Sequence, residues 1–172
     1  MTILITGANG QLGWELVRRH PAESTDMAAL SRSELDITDP AQVAEAFDRH
    51  RPSLAVNAAA YTLVDKAETQ KESAFAVNRG GSIHLADACA RLDIPLIHVS
   101  TDFVFDGQKG APYVETDPVS PVGVYGESKA AGEAEVRFRL KRHLILRTSW
   151  VYGVHGNNFV KTMIRLARER DD

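Results

Sequence analysis

The stretch Tyr125-Gly126-Glu127-Ser128-Lys129 places a phenol and a primary amine four positions apart, so on a helix both lie on one face. A free phenol near pKa ~10 is a poor proton donor or acceptor at neutral pH, and an ammonium beside it favours the phenolate and lowers that value. Such a pair can pass a proton to a carbonyl, while the amine bonds a ribose hydroxyl. Far upstream, Gly7-Ala8-Asn9-Gly10-Gln11-Leu12-Gly13 follows a short apolar run. Gly7 allows a sharp exit from a strand, Gly10 lets a phosphate approach the backbone, and Gly13 lets a helix pack close to the sheet. Gln11 and Leu12 open that helix, whose N-terminus presents free N–H groups and a positive dipole end to a pyrophosphate. Each motif by itself also fits a plain role, a tight turn or a surface i,i+4 pair. Together, in one alternation of strands and helices, they read as nicotinamide dinucleotide chemistry.

The elements that must position these residues alternate short apolar runs with longer amphipathic ones, which implies parallel strands joined by right-handed helical crossovers. Strands are expected at Thr2–Thr6, Met27–Leu30, Leu54–Asn57, Pro95–Ser100 and Leu144–Thr148. Asp39 before Pro40 and Ser120 before Pro121 announce helix starts. Ile3-Leu4-Ile5 and Leu96-Ile97-His98-Val99 are apolar on nearly every residue, as when helices cover both faces. The fold class is therefore α/β, a Rossmann-like doubly wound parallel sheet in three α/β/α layers, with residues 1–172 forming one dinucleotide-binding domain. The irregular stretch from Thr101 to Ser120 is long enough to be functional.

Further candidates lie on the carboxyl rim of that sheet. After the second strand comes Ser31-Arg32 rather than an acid; a guanidinium with a neighbouring hydroxyl can hold a 2′-phosphate, which favours NADPH over NADH, although Arg32 also fits a solvent-facing loop. Asp36 and Ile37 are placed beside the adenine. After the third strand, Ala58, Ala59 and Ala60, with Thr62, leave no bulk where a cofactor would cross the strands; tight packing explains the same alanines equally well. At the end of the fourth strand, the Thr101 hydroxyl can polarise a substrate carbonyl beside Tyr125, or merely cap the strand. Asn78 is a candidate support for the backbone or a water chain to Lys129.

Composition excludes several classes. A length of 172 residues, 44% hydrophobic and 25% charged, suffices for one well-buried domain. A net charge of -3 with scattered Lys and Arg leaves no basic face for nucleic acid. The single cysteine, Cys89, allows no intrachain disulfide, and together with an N-terminus that reads as a core strand this leads us to expect a reducing, cytoplasmic setting. No apolar run approaches the roughly 20 residues of a membrane span. The six histidines show no ligand spacing with Cys89 or a carboxylate, and His98 reads as a core residue.

Taken together, these residues resemble the dTDP-4-dehydrorhamnose reductase family of extended short-chain dehydrogenases/reductases. The likeness is carried by Gly10-Gln11-Leu12-Gly13-Trp14-Glu15-Leu16, Asn57-Ala58-Ala59-Ala60-Tyr61-Thr62 with Val64-Asp65-Lys66-Ala67-Glu68, Ser100 to Gly107, and Arg147 to Gly153 followed by Gly156-Asn157-Asn158-Phe159. The resemblance implies reduction of the C4 ketone of dTDP-4-dehydro-L-rhamnose by NADPH or NADH. Tyr125 would supply the proton, Lys129 would tune it, and Thr101 and Asp102 would meet the substrate, with Val64 and Trp150 lining the sugar site. Sugar-nucleotide dehydratases of the same fold follow the aspartate with a glutamate, and here that slot is Phe103, so elimination lacks its base. Family members carry a further C-terminal region that closes over the nucleotide-sugar. This chain stops in what reads as a helix at Ile164 to Asp172, so the substrate lobe is expected to be missing and activity impaired. Some members hold a divalent metal such as Mg at a dimer interface; Glu15 matches one ligand, but its partners would lie in the absent region, so no metal is expected, and a homodimer stays open. Two alternatives remain: a non-catalytic NADP-binding module resembling the regulatory subunit of methionine adenosyltransferase, and another nucleotide-sugar epimerase or reductase.

Overall fold

The computed structural model describes residues 1–20 and 25–169. Five strands, β1 (Thr2–Thr6), β2 (Asp26–Leu30), β3 (Leu54–Asn57), β4 (Leu96–Thr101) and β5 (His143–Thr148), form one parallel sheet in the order β2-β1-β3-β4-β5. Each lies within one residue of its expected bounds. Pro95 falls outside β4 because it has no N–H for the ladder; its carbonyl still accepts from the Ala55 amide at 3.1 Å. The register pairs Ile5 with Val56, Thr6 with Asn57, and Thr101 with Thr148. Chain order reverses between β1 and β3, and the crevice at that switch point lies outside the strands' carboxyl ends.

The crossovers are α1 (Gln11–Arg19), α2 (Pro40–His50), α3 (Val64–Ala67), α4 (Lys71–Phe75), a π turn at Ala76–Gly80 leading into α5 (Gly81–Arg91), α6 (Val124–Arg139) and, after β5, α7 (Phe159–Glu169). Right-handed connection puts α2, α5 and α6 on one face and α1 on the other. Between the sheet and the first face lies the main core of Leu4, Val43, Phe47, Ala55, Leu85, Cys89, Leu96, Val136 and Leu140. The second face is less covered than the apolar strands suggested. Leu144 and Leu146 of β5 are 52% and 43% exposed, and α7 buries none of its residues. No helix among the described residues is long and apolar enough to cross a membrane.

Local chemistry explains the helix starts. Asp39 caps α2 as expected, accepting from the amides of Ala41 (2.8 Å) and Gln42 (3.3 Å), with Pro40 in the first turn. The second expected start needs correcting. Ser120 donates its amide to the Val104 carbonyl at 2.9 Å and stays outside the helix, so α6 begins at Val124, three residues after Pro121. Its N-cap, Gly123, has no side chain to offer, and the Glu68 carboxylate takes the Val124 amide at 2.9 Å instead. The terminal helix expected to run to Asp172 is α7; residues 170–172 lie outside the described residues.

Candidate active site

The turn after β1 and the loop after β3 touch. Gly7 has φ +70°, and a Cβ there would lie 2.7 Å from the Ala59 amide nitrogen, so both the backbone sign and the space demand glycine. A Cβ on Gly13 would lie 2.2 Å from the Gly7 carbonyl oxygen. Gly13 therefore brings α1 against the turn itself, rather than against the sheet as expected. The result is a trough across the carboxyl ends of the strands. One end is a cavity of about 350 Å³ lined by Gly7, Gly10, Arg32, Asp36, Ile37 and the alanines Ala58 to Ala60. It continues over Asn9, Gly10, Ala58, Ala60 and Thr62 into a second cavity of about 500 Å³. A trough walled by main chain and methyl groups at a helix N-terminus fits a dinucleotide: bare backbone for the pyrophosphate, apolar floor for the rings.

The second cavity gathers Gln11, Leu12, Val64, Thr101, Asp102, Tyr125, Lys129 and Trp150. The approach is made possible by Gly126, where a Cβ would sit 2.2 Å from the Phe103 carbonyl oxygen, so α6 lies directly on the turn after β4. Tyr125 is 9% exposed and packs edge-on to Phe103 with ring centroids 5.6 Å apart. Thr101 Oγ1 donates to Asp102 Oδ1 at 3.1 Å and accepts from the Phe103 amide at 3.2 Å. The Ser149 hydroxyl fixes the other Asp102 oxygen at 2.6 Å. Trp150, in the left-handed region at φ +53°, stands its ring against Phe159.

Lys129 is buried, and its Nζ donates to the Val99 carbonyl at 2.6 Å. Burial lowers its pKa to about 8, against the opposing charge of Glu133. The expectation that Lys129 lowers the Tyr125 pKa is corrected here. Burial pushes the phenol above its ordinary value, the Thr101 hydroxyl partly offsets this, and the Asp102 charge pushes it up again. The lysine is turned toward a strand carbonyl, and the phenol stays protonated across the neutral range.

At the rim of the first cavity stands Arg32, its Nε 3.7 Å from Asp36 Oδ2 and its side chain 83% exposed. Asp36 spends Oδ1 on the Thr38 amide and hydroxyl. Those two bonds, the amide first, hold the Asp36 carboxyl below its usual range. Of the candidate site residues, Ser31 and Gly13 do not line the trough; Gly13 lies behind the glycine turn, and Ser31 is turned away from it. Ser31 is buried, its amide and hydroxyl both donate to Glu34 Oε2 at 2.8 and 2.6 Å, and it lines neither cavity. The spacing Ser31-x-x-Glu34 is that of a capping box and signals this local pairing.

Asn78 is named from sequence as a support, whereas the contacts of Asn158 and His155 are not foreseen. Asn78, buried in the π turn, donates to the Tyr61 carbonyl (3.1 Å) and the Ser128 hydroxyl (2.9 Å) and accepts from the Tyr61 amide (2.9 Å), joining the loop after β3 to α6. The segment after β5 folds back on the glycine turn. Asn158 donates to Gln11 Oε1 at 3.1 Å, and His155 meets the Asn9 carbonyl at 2.9 Å while stacking on Trp14. These partners are up to 147 residues apart and leave no local signal. Glu15 pairs with Arg18 and Arg19 within α1.

The RmlD substrate binding domain model matches residues 1–172. A dTDP-4-dehydrorhamnose reductase of Aggregatibacter actinomycetemcomitans is 49% identical over 170 residues, covering 98% of this chain and 58% of that protein. A dTDP-4-dehydrorhamnose reductase of Mycobacterium tuberculosis is 50% identical over 96% of this chain and 55% of its own length. A crystal structure of dTDP-4-dehydrorhamnose reductase from Bacillus anthracis, in complex with NADP, superposes with a TM-score of 0.96 at 42% identity, over 98% of this chain and 60% of that one. The chain thus spans less than two thirds of the length of these relatives.

Proposed function

We propose that this chain, which belongs to the RmlD substrate binding domain family, is the cofactor-binding and proton-donating part of an NADPH-dependent reductase acting on the C4 ketone of dTDP-4-dehydro-L-rhamnose. The observation that carries the reading is the convergence of Thr101, Tyr125 and Lys129 on one cavity continuous with the glycine turn. The bound reduced nicotinamide supplies hydride to the ketone carbon. The α1 N-terminus holds the pyrophosphate through Gly10, Gln11 and Leu12, and Ala58 to Ala60 with Thr62 floor the trough. Arg32 at the rim takes the 2′-phosphate, which favours NADPH over NADH. Lys129, anchored on the Val99 carbonyl, turns its remaining N–H groups to the nicotinamide ribose. Tyr125 gives its proton to the oxygen as negative charge develops there; burial keeps that proton in place at neutral pH, although it also makes the phenol a weaker acid. Thr101 hydrogen-bonds the same oxygen, while Asp102, Val64 and Trp150 border the sugar. Phe103 fills the position after Asp102 against the Tyr125 ring, so no carboxylate stands there to abstract the proton alpha to the ketone, and reduction is favoured over dehydration.

The test follows loss of NADPH absorbance with enzymatically generated dTDP-4-dehydro-L-rhamnose, with NADH in parallel, for this chain and for Tyr125→Phe. Turnover that falls about 10²- to 10⁴-fold in the variant, with cofactor affinity retained, supports a reductase. Equal rates in the two proteins refute the assigned proton donor, and failure to bind either cofactor refutes the dinucleotide site.

A further inference from the structure

Behind the cavity, α6 buries a carboxylate that the proposed proton transfer does not touch. Glu133 stands four residues after Lys129 on the same helix and is fully buried. Arg147 of β5 grips both of its oxygens, Nε to Oε1 at 2.9 Å and Nη2 to Oε2 at 2.7 Å, and Arg137 adds a third bond to Oε2 at 3.0 Å. Two guanidinium groups already exceed its charge, and Lys129, 2% exposed, is a third cation on this side of the sheet. Lys129 and Glu133 are the two charged side chains that are buried among the described residues.

The other groups around Lys129 do not balance it. Tyr125, on α6, is a neutral phenol. His98 of β4 is held neutral by burial and by the Lys129 charge, its pKa lowered to about 3, with Nδ1 accepting from Asn57 and Nε2 without a partner among the described residues. Arg147 and Arg137 are cations, and Asp102, just past β4, is committed to Thr101 and Ser149. Burial alone would raise the Glu133 carboxyl; the bonds from Arg147, the nearby Ser100 hydroxyl and the two arginine charges outweigh it and keep the group ionised.

We propose that Glu133, fixed from behind by Arg147 and one helical turn from Lys129 without a direct ion pair to it, is the buried counter-ion that acts across that gap to keep a charged amine on the Val99 carbonyl with its free N–H groups at the cavity. The electrostatics stand on this chain alone; the consequence for the nicotinamide ribose rests on the function proposed above.

The decisive measurement is a pH titration of the Lys129 ε-carbon by NMR in lysine-labelled protein, the resonance being identified by its loss in Lys129→Met. In the unsubstituted chain the midpoint lies near 8. Glu133→Gln should lower it by about one pH unit or more, and Glu133→Asp should restore most of that shift. Arg147→Met frees the carboxylate from competition and should move the midpoint upward, which keeps the proposal testable should Glu133→Gln fail to fold. Loss of packing does not produce opposite shifts in the two variants, so an unchanged midpoint in either one overturns the proposal. NADPH titrations between pH 6.5 and 9 form the second arm, in which affinity should fall along the same Lys129 curve. Affinity independent of that curve overturns the step from Lys129 to the cofactor. Absence of NADPH binding by the unsubstituted chain overturns the function and leaves the NMR arm to decide on Glu133.

Discussion

Replacing Gly13 with alanine would place a methyl carbon 2.2 Å from the Gly7 carbonyl oxygen and 2.8 Å from the Ala8 Cα. Ordinary C···O contacts lie at about 3.3 Å or beyond, so the start of α1 must retreat by about 1 Å. Both partners are main chain, and neither can rotate away. Overpacking of this kind costs about 1–3 kcal/mol, or roughly 3–10 °C in Tm for a domain of this size. The same retreat stretches the amide bonds to a pyrophosphate; losing two bonds to a charged group, each worth about 1.5–3 kcal/mol, weakens NADPH binding about 100-fold or more. Gly10→Ala separates the two effects. Gly10 has an ordinary φ of −75° and one neighbour at 3.2 Å, so stability should hold within about 1 kcal/mol, while the methyl intrudes on the trough and affinity falls at least about tenfold. Gly107→Ala is the converse, with φ +75° and nothing within 4 Å: about 1–2 kcal/mol of strain and unchanged affinity. Thermal melts and NADPH fluorescence titrations of the three variants report both quantities. A Gly13→Ala protein that binds NADPH as tightly as the parent chain refutes the placement of the pyrophosphate at this turn.

Three other outcomes follow from named contacts. Lys129 has a folded pKa near 8 against an ordinary value of 10.5, so between those values the unfolded chain binds more protons and stability gains with rising pH. Urea unfolding of the parent chain and Lys129→Met should diverge by about 2 kcal/mol in favour of the parent as pH rises from 8 to 10, and parallel curves would refute the buried ammonium. Glu68→Ala removes the distant cap of α6, which should cost about 1 kcal/mol in chemical denaturation; because α6 carries Tyr125, turnover should fall with it. Arg32→Ser should weaken NADPH about tenfold and leave NADH within twofold in parallel titrations, since the exposed guanidinium meets the 2′-phosphate alone.

What the sequence disclosed and what it withheld divide along the range of the interactions. Asp39-Pro40 was legible as a helix start because its bonds close within three residues, and the strands because their apolar runs stand out between amphipathic stretches, even where β5 leaves Leu144 and Leu146 half exposed. The expected start at Ser120-Pro121 failed because a backbone bond to Val104 and a carboxylate from Glu68 decide where α6 begins, and neither neighbour is visible locally. Ser31 was misread in the opposite direction: its true partner, Glu34, lies three residues on, and the capping spacing outweighs the more interesting role at a ribose. The Tyr-x-x-x-Lys pair shows the limit most clearly. Spacing put both side chains on one face of α6, which the fold bears out, yet the sign of the perturbation on Tyr125 belongs to the surroundings. Burial under α6 and the neighbouring Asp102 raise the phenol, while the lysine turns to Val99 and to the charge of Glu133. The phenol therefore keeps its proton at neutral pH but as a weaker acid than the spacing suggested, so its transfer must be drawn by the negative charge that develops on the carbonyl oxygen.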